Sequence, residues 1–298
     1  MTEAAAVPAE GAMFDMQAAP LHVGRVRLRV RDLSRVAEFY ESLLGLRRLD
    51  QGAGWTLLGA PAPGGGARPL LELVGDARLA PRDPRQAGLF HTAFLMPSRA
   101  DLGRWLGHAV AAGARLEGAS DHLVSEAIYL TDPEGAGIEV YADRPEAAWR
   151  TPSGAVKMAT LPLDAQALYE AGGGAPYAGA PEGLIVGHVH LQVGDTRAAD
   201  RFYRDVLGFD LAAEYPGASF YGSGGYHHQL AGNVWNSRGA GPRPAGMAGL
   251  ETVELIARDA AVRDAALARA EAAGLAPEAR DGRTALRDPW GGLTVLAV

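Results

Sequence analysis

The chain has 298 residues, 48% of them hydrophobic, and 28 Lys+Arg against 35 Asp+Glu give a formal net charge of −7, a balance that supports a folded protein rather than a disordered one. An acidic chain without a basic run suits neither nucleic acid nor an anionic membrane surface, and no apolar run reaches the length of a membrane span. The absence of cysteine excludes disulfides, thiolate metal ligands and a cysteine nucleophile, which leaves eight histidines as the candidate chemistry.

Residues 1–20 are rich in Ala, Glu and Pro and lack the basic start and apolar run of a targeting signal, so a disordered tail on a cytoplasmic protein is expected. Residues 23–49, VGRVRLRVRDLSRVAEFYESLLGLRRL, recur at 186–212 as VGHVHLQVGDTRAADRFYRDVLGFDLA. Ten of the 27 aligned positions are identical (V-G-x-V-x-L-x-V, D, F-Y, L-G). Val26, Leu28 and Val30 alternate with Arg25, Arg27 and Arg29, and Val189 and Leu191 alternate with His188, His190 and Gln192, which is the period of a half-buried strand. Asp32 and Asp195 stand where helix caps are needed, Phe39, Tyr40, Leu43 and Leu44 follow at helical spacing, and Gly45 is placed to end that helix.

A weaker repeat opens with LFHTAFLMP at 89 and LETVELIAR at 250. Each copy continues into an Ala-rich amphipathic helix and closes on an Asp-Pro turn and a last strand, TDPEGAGIEVYA at 131–142 and RDPWGGLTVLAV at 287–298. Four modules result, near 21–75, 89–142, 184–236 and 249–298, each reading as strand, helix and about three strands. Residues 143–183, rich in Pro, Ala and Gly, read as a linker with one short helix. The expected organisation is a tail at 1–20, a first two-module domain at 21–142, the linker at 143–183, and a second two-module domain at 184–298.

The paired modules, the F-Y-x-x-x-L-G element and the D-P-x-G-x-x-x-E ending resemble the vicinal oxygen chelate superfamily. HLVSEAIYLTDPEGAGIEVYADRP and GGYHHQLAGNVW are similar to the catechol 2,3-dioxygenase branch of its type I extradiol dioxygenases. The resemblance covers about residues 21–298 and implies an α+β fold of four βαβββ modules forming two paired, curved mixed sheets. It also implies an Fe(II) or Mn(II) centre of two His and one carboxylate, which maps onto His91, Glu139 and His188. Such a set occupies one face of an octahedral ion and leaves positions free for other groups. Glu139 lies between Ile138 and Val140 and so points away from them. Taken singly, each of the three has an ordinary reading as a satisfied core or surface residue; the joint pattern carries the metal reading. At the corresponding positions of modules one and four, Arg25, Thr252 and Thr294 form no ligand set. One live site between modules two and three is therefore expected, with a second concavity where Arg25, Arg27 and Arg29 pair with Glu254 or Glu251.

The same resemblance implies a proton-transfer His before a short apolar strand, which matches His228 better than His227. It also implies a substrate-orienting His122 followed by Tyr129. Asn233 and Trp235 are candidates for the pocket wall or for plain core packing, His190 shares a face with His188, and His22 and His108 carry no functional expectation. The implied reaction is extradiol cleavage of a catechol by O2 to a hydroxymuconic semialdehyde-type product. It needs no organic cofactor and no nucleic-acid or membrane partner, and it leaves self-association open. The competing readings are a glyoxalase-like isomerase or thiol transferase, which adds a second carboxylate absent from 218–236, and a non-catalytic binding protein of the same fold.

Overall fold

The computed structural model describes residues 11–298. Module one is β1 (Leu21–Val30), α1 (Leu33–Leu43), β2 (Arg47–Gly52), β3 (Trp55–Pro61) and β4 (Ala67–Gly75). Module two is β5 (Gly88–Leu95), α2 (Arg99–Ala111), β6 (Leu116–Asp121), β7 (Ser125–Thr131) and β8 (Gly137–Asp143). The connecting stretch contributes β9 (Leu161–Pro162) and α3 (Ala165–Ala171). Module three is β10 (Ile185–Gln192), α4 (Thr196–Asp200, running on as a π-helical turn over Arg201–Val206), β11 (Asp210–Tyr215), β12 (Ala218–Gly222) and β13 (Leu230–Asn233). Module four is β14 (Gly249–Ala257), α5 (Ala260–Ala272), β15 (Glu278–Arg280), β16 (Arg283–Arg287) and β17 (Leu293–Ala297).

One capping device starts every module helix. Asp32, Ser98, Asp195 and Asp259 each accept a hydrogen bond from the backbone N–H three residues on, which satisfies one of the free donors of the first turn. Within each module the first strand lies parallel to the last: β1 with β4, β5 with β8, β10 with β13, and β14 with β17. The modules then join first strand to first strand, antiparallel. β1 with β14 builds an eight-stranded sheet from modules one and four, and β5 with β10 builds a nine-stranded sheet from modules two and three. Each sheet thus takes one module from each half of the chain, so the split at the linker is a division of sequence rather than of sheets.

The shared V-G-x-V string has a mechanical reason. Strand registers shift between Val23 and Val26 and between Val186 and His188, at Gly24 and Gly187. The bulge lets Val186 and Val189 both enter the core while His188 between them turns to the opposite face. A Cβ at Gly187 would lie 1.9 Å from the Tyr141 hydroxyl, so no larger residue fits there. One continuous core, with Val26, Leu28, Tyr40, Phe94, Val140 and Val189 buried in it, joins both sheets and their helices.

The expected disordered tail does not describe residues 14–19. Met16 and Ala19 are buried, and the Phe14 ring lies 5.8 Å from Trp149 and 5.1 Å from Tyr226, because a small apolar cluster under the linker offers these side chains a place out of water. Residues 1–10 of that tail lie outside the described residues. Among the described residues no helix is long and apolar enough to cross a membrane.

Candidate metal centre

His91 on β5, Glu139 on β8 and His188 on β10 are all buried and face one another across the nine-stranded sheet. His91 Nε2 lies 3.0 Å and His188 Nε2 3.3 Å from the same oxygen, Glu139 Oε2, and the two Nε2 atoms are 3.2 Å apart. Ligands at right angles, each ~2.1 Å from a common ion, lie ~3.0 Å apart, so these spacings suit a divalent cation held on one face. The charge balance points the same way. Among the described residues neither Lys nor Arg pairs with Glu139, which is only 3% exposed, and a buried carboxylate without a cation is costly. Burial pushes the Glu139 carboxyl up, but His188 and His91 outweigh it and hold it well below the usual carboxylate range. Burial brings His188 down to about 4. Glu139 and His188 therefore present lone pairs near neutral pH, the state a metal requires.

The triad forms the floor of a cavity of about 390 Å³. His122, Tyr129, His190, His228 and Trp235 also line it. His122 lies in the turn after β6, where Leu123 takes the left-handed conformation (φ 66°) that an apolar side chain rarely adopts. His122 Nδ1–H donates to the Ala159 carbonyl at 2.7 Å, so in the neutral ring Nε2 accepts from the Tyr129 hydroxyl, 2.6 Å away. Tyr129 stands across from Glu139 in the β7–β8 pairing, and burial, then that carboxylate, raise its hydroxyl well above its ordinary value, keeping it a donor.

The paired histidines separate as adjacent strand-like residues do. His228 lines the cavity with its ring 4.2 Å from that of His188, while His227 is fully buried behind it against Trp149 and Tyr226. His190 is in the wall, and Asn233, fully buried, donates to its Nε2 at 3.0 Å; Asn233 thus supports the wall rather than forming it, whereas Trp235 does line it. His22 is buried on β1, where burial takes it down to about 4, and His108 hydrogen-bonds the Ser42 carbonyl from α2.

Several wall residues escape a sequence reading. Phe90, Phe220, Val156 and Met158 complete the cavity, and the last two come from the linker, where no periodicity assigns them a face. Asp143, joined to His227 at 2.8 Å, is 84 residues away from it in sequence.

The eight-stranded sheet shows how the site can be lost. Arg27 pairs across to Glu72 as Ala93 pairs across to Glu139, so Glu72 is the register equivalent of Glu139, a counterpart the repeat in the sequence does not reveal. Arg25 stands where His91 stands in the other sheet and lies 3.3 Å from both Glu72 and Glu254, and Arg27 reaches Glu72, Glu251 and Asp281. Guanidinium groups supply the positive charge there, so the carboxylates need no ion. Arg29, expected in the same cluster, donates instead to the Ala245 carbonyl.

A family model described as the Glyoxalase/Bleomycin resistance protein/Dioxygenase superfamily matches residues 22–140 and 185–295. A protein of Bacillus subtilis (strain 168) named catechol-2,3-dioxygenase is 36% identical over 281 residues, covering 93% of this chain and 97% of that one. Among solved structures, a putative dioxygenase from Bacillus subtilis superposes with a TM-score of 0.61 at 14% identity, covering 93% of this chain and 84% of that one. Glyoxalase I from Zea mays superposes with a TM-score of 0.55 at 18% identity, covering 93% of this chain and 92% of that one. At those identities the two structures speak for the fold alone. The family match in both halves of the chain, together with the 36% identical relative, establishes that the chain belongs to the glyoxalase/bleomycin resistance protein/dioxygenase superfamily, the vicinal oxygen chelate group, among its catechol-2,3-dioxygenase-like members.

Proposed function

We propose that the protein is an extradiol dioxygenase that opens a catechol ring beside its diol with O2, giving a hydroxymuconic semialdehyde-type product. The observation that carries this reading is the convergence of His91, Glu139 and His188 on one point at the floor of an accessible cavity, with no second acidic ligand near them among the described residues. His91, Glu139 and His188 would hold Fe(II) or Mn(II), which when bound would supply Lewis acidity and redox capacity at the cavity floor. The B. subtilis relative named catechol-2,3-dioxygenase supports the choice of diol. A glyoxalase-like isomerase needs a second carboxylate at the centre. Apart from Glu139, the only acidic residue lining the cavity among the described residues is Glu214, which is exposed on β11.

His228 takes a proton from a substrate hydroxyl and later returns it. Burial, followed by the neighbouring His188 and His227 rings, holds its pKa well below the ordinary histidine value, so it meets the substrate as a neutral base. Tyr129 and His122, locked to each other and to the Ala159 carbonyl, form a fixed polar edge that orients the diol oxygens. Phe90, Phe220 and Trp235 form the wall against which the ring packs, with Phe90 and Trp235 5.5 Å apart and Phe220 5.1 Å from His228. No Lys or Arg lines the cavity among the described residues, so the substrate is a catechol without a carboxylate substituent.

The test is anaerobic loading with Fe(II), addition of catechol, admission of air and detection of the yellow ring-opened product. His228→Phe keeps the metal and slows turnover. Metal-loaded protein that consumes neither catechol nor O2 refutes the reading.

A further inference from the structure

A line of buried polar groups leads from His228 away from the cavity and has no part in metal binding or in orienting the diol. His228 Nδ1 lies 2.9 Å from His227 Nδ1, His227 Nε2 lies 2.8 Å from Asp143 Oδ1, and the Tyr226 hydroxyl lies 3.0 Å from Asp143 Oδ2. Tyr226 in turn receives the Tyr141 hydroxyl at 2.8 Å. Asp143, His227 and His228 are all buried, and the His227 ring is clamped between Tyr226, at 4.0 Å, and Trp149, at 4.9 Å.

We infer that Asp143 and His227 are positioning residues that hold His228 in the tautomer with its Nδ1 protonated and its Nε2 bare toward the substrate; the role assigned to that lone pair rests on the function proposed above. The argument is one of donor bookkeeping. An ionised carboxylate only accepts, so Tyr226 donates its hydroxyl proton and His227 donates from Nε2. With His227 neutral, its single ring proton lies on Nε2 and its Nδ1 accepts, whereas a doubly protonated His227 would donate from Nδ1 as well and leave the His228 proton on Nε2, the outcome that overturns the inference below. Two ring nitrogens 2.9 Å apart need one proton between them, and it must come from His228 Nδ1. The remaining nitrogen of His228, Nε2, has no hydrogen-bond partner among the described residues and is not among the atoms sealed from the cavity that His228 lines. A base must present a lone pair to the hydroxyl it deprotonates, and the opposite tautomer would present an N–H instead. The pairing also answers why two adjacent histidines are present: one faces the substrate, and the other passes the polarity of a distant carboxylate to it.

The test begins with metal-free, ¹⁵N-His-labelled protein near neutral pH, in which long-range ¹H–¹⁵N correlation reads which ring nitrogen carries the proton. His228 is expected to be protonated at Nδ1 only. In Asp143→Asn the amide nitrogen donates to His227 Nε2, the polarity of the line reverses, and the His228 proton moves to Nε2. In the iron-loaded variant kcat falls about 100-fold or more, while KM stays within about threefold. Tyr226→Phe removes a hydrogen bond to the same carboxylate without reversing the line, so it keeps the wild-type tautomer. A wild-type His228 protonated at Nε2 overturns the inference, as does an Asp143→Asn protein that keeps the wild-type tautomer or the wild-type kcat. Absence of ring cleavage by the wild-type enzyme defeats the proposed reaction instead and leaves the tautomer result standing.

Discussion

Metal-linked stability gives the most direct test of the candidate centre. A ligand that binds only the folded state at 1,000 times its Kd stabilises it by about 4 kcal/mol. For a chain of 298 residues the unfolding entropy is about 0.6 kcal/mol/K, so a saturating divalent ion raises Tm by about 6–7 °C. Glu139, held well below the usual range, and His188, brought down to about 4, are already deprotonated near neutral pH, so neither has a proton to lose to the metal between about pH 6 and 8. Glu139→Gln removes the anionic donor that both imidazoles face, and its Tm, compared with that of its own metal-free form, should hardly move. Differential scanning fluorimetry under anaerobic conditions with Fe(II), and in parallel with Mn(II), reads both proteins. A wild-type Tm indifferent to both ions refutes the reasoning, as does a Glu139→Gln protein that gains as much as the wild type.

Three further outcomes are expected. With iron-loaded enzyme, kcat/KM for 4-ethylcatechol should exceed that for 3,4-dihydroxyphenylacetate by about tenfold or more, because the cavity offers a carboxylate no cation; equal values would discard the proposed substrate class. Burial pushes Asp132 up to about 6, with Oδ1 accepting from the Glu134 and Ala136 N–H groups and Oδ2 left without a partner. A folded-state pKa above the unfolded value means stability that is present in acid and lost as pH rises through about 6. Asp132→Asn should therefore gain about 2–3 kcal/mol over wild type at pH 7–8 and little at pH 4 in urea unfolding, and a pH-independent difference would contradict this. Gly187→Ala places a methyl group 1.9 Å from the Tyr141 hydroxyl and 2.9 Å from Leu95 Cβ, and should cost about 2–3 kcal/mol, lowering Tm by about 3–5 °C; an unchanged Tm would show that the bulge tolerates a side chain.

Much of the architecture is written locally. Alternation at period two identifies the strands and assigns each residue a face, which is why Glu139 can be turned away from Ile138 and Val140 before any coordinates exist. Asp32 and Asp195 cap their helices as their positions demand, because a cap depends only on the few residues that follow it. The V-G-x-V string marks a bulge, although its purpose, letting Val186 and Val189 enter the core while His188 faces the cavity, needs the neighbouring strand.

Non-local pairing decided the rest. His91 and His188 meet only because β5 and β10 run antiparallel in one register, and a slip of one residue would turn either imidazole into the core. The same long-range pairing sets Glu72 opposite Arg27, places Val156 and Met158 over the cavity, seats Met16 under the linker, and brings Asp143 to His227. It also distinguishes His228 from His227, which differ by one position in the chain and by the whole depth of a wall in space. Periodicity along a chain records which side of an element is apolar; it holds no record of what another element, folded against it from a hundred residues away, presents to the other side.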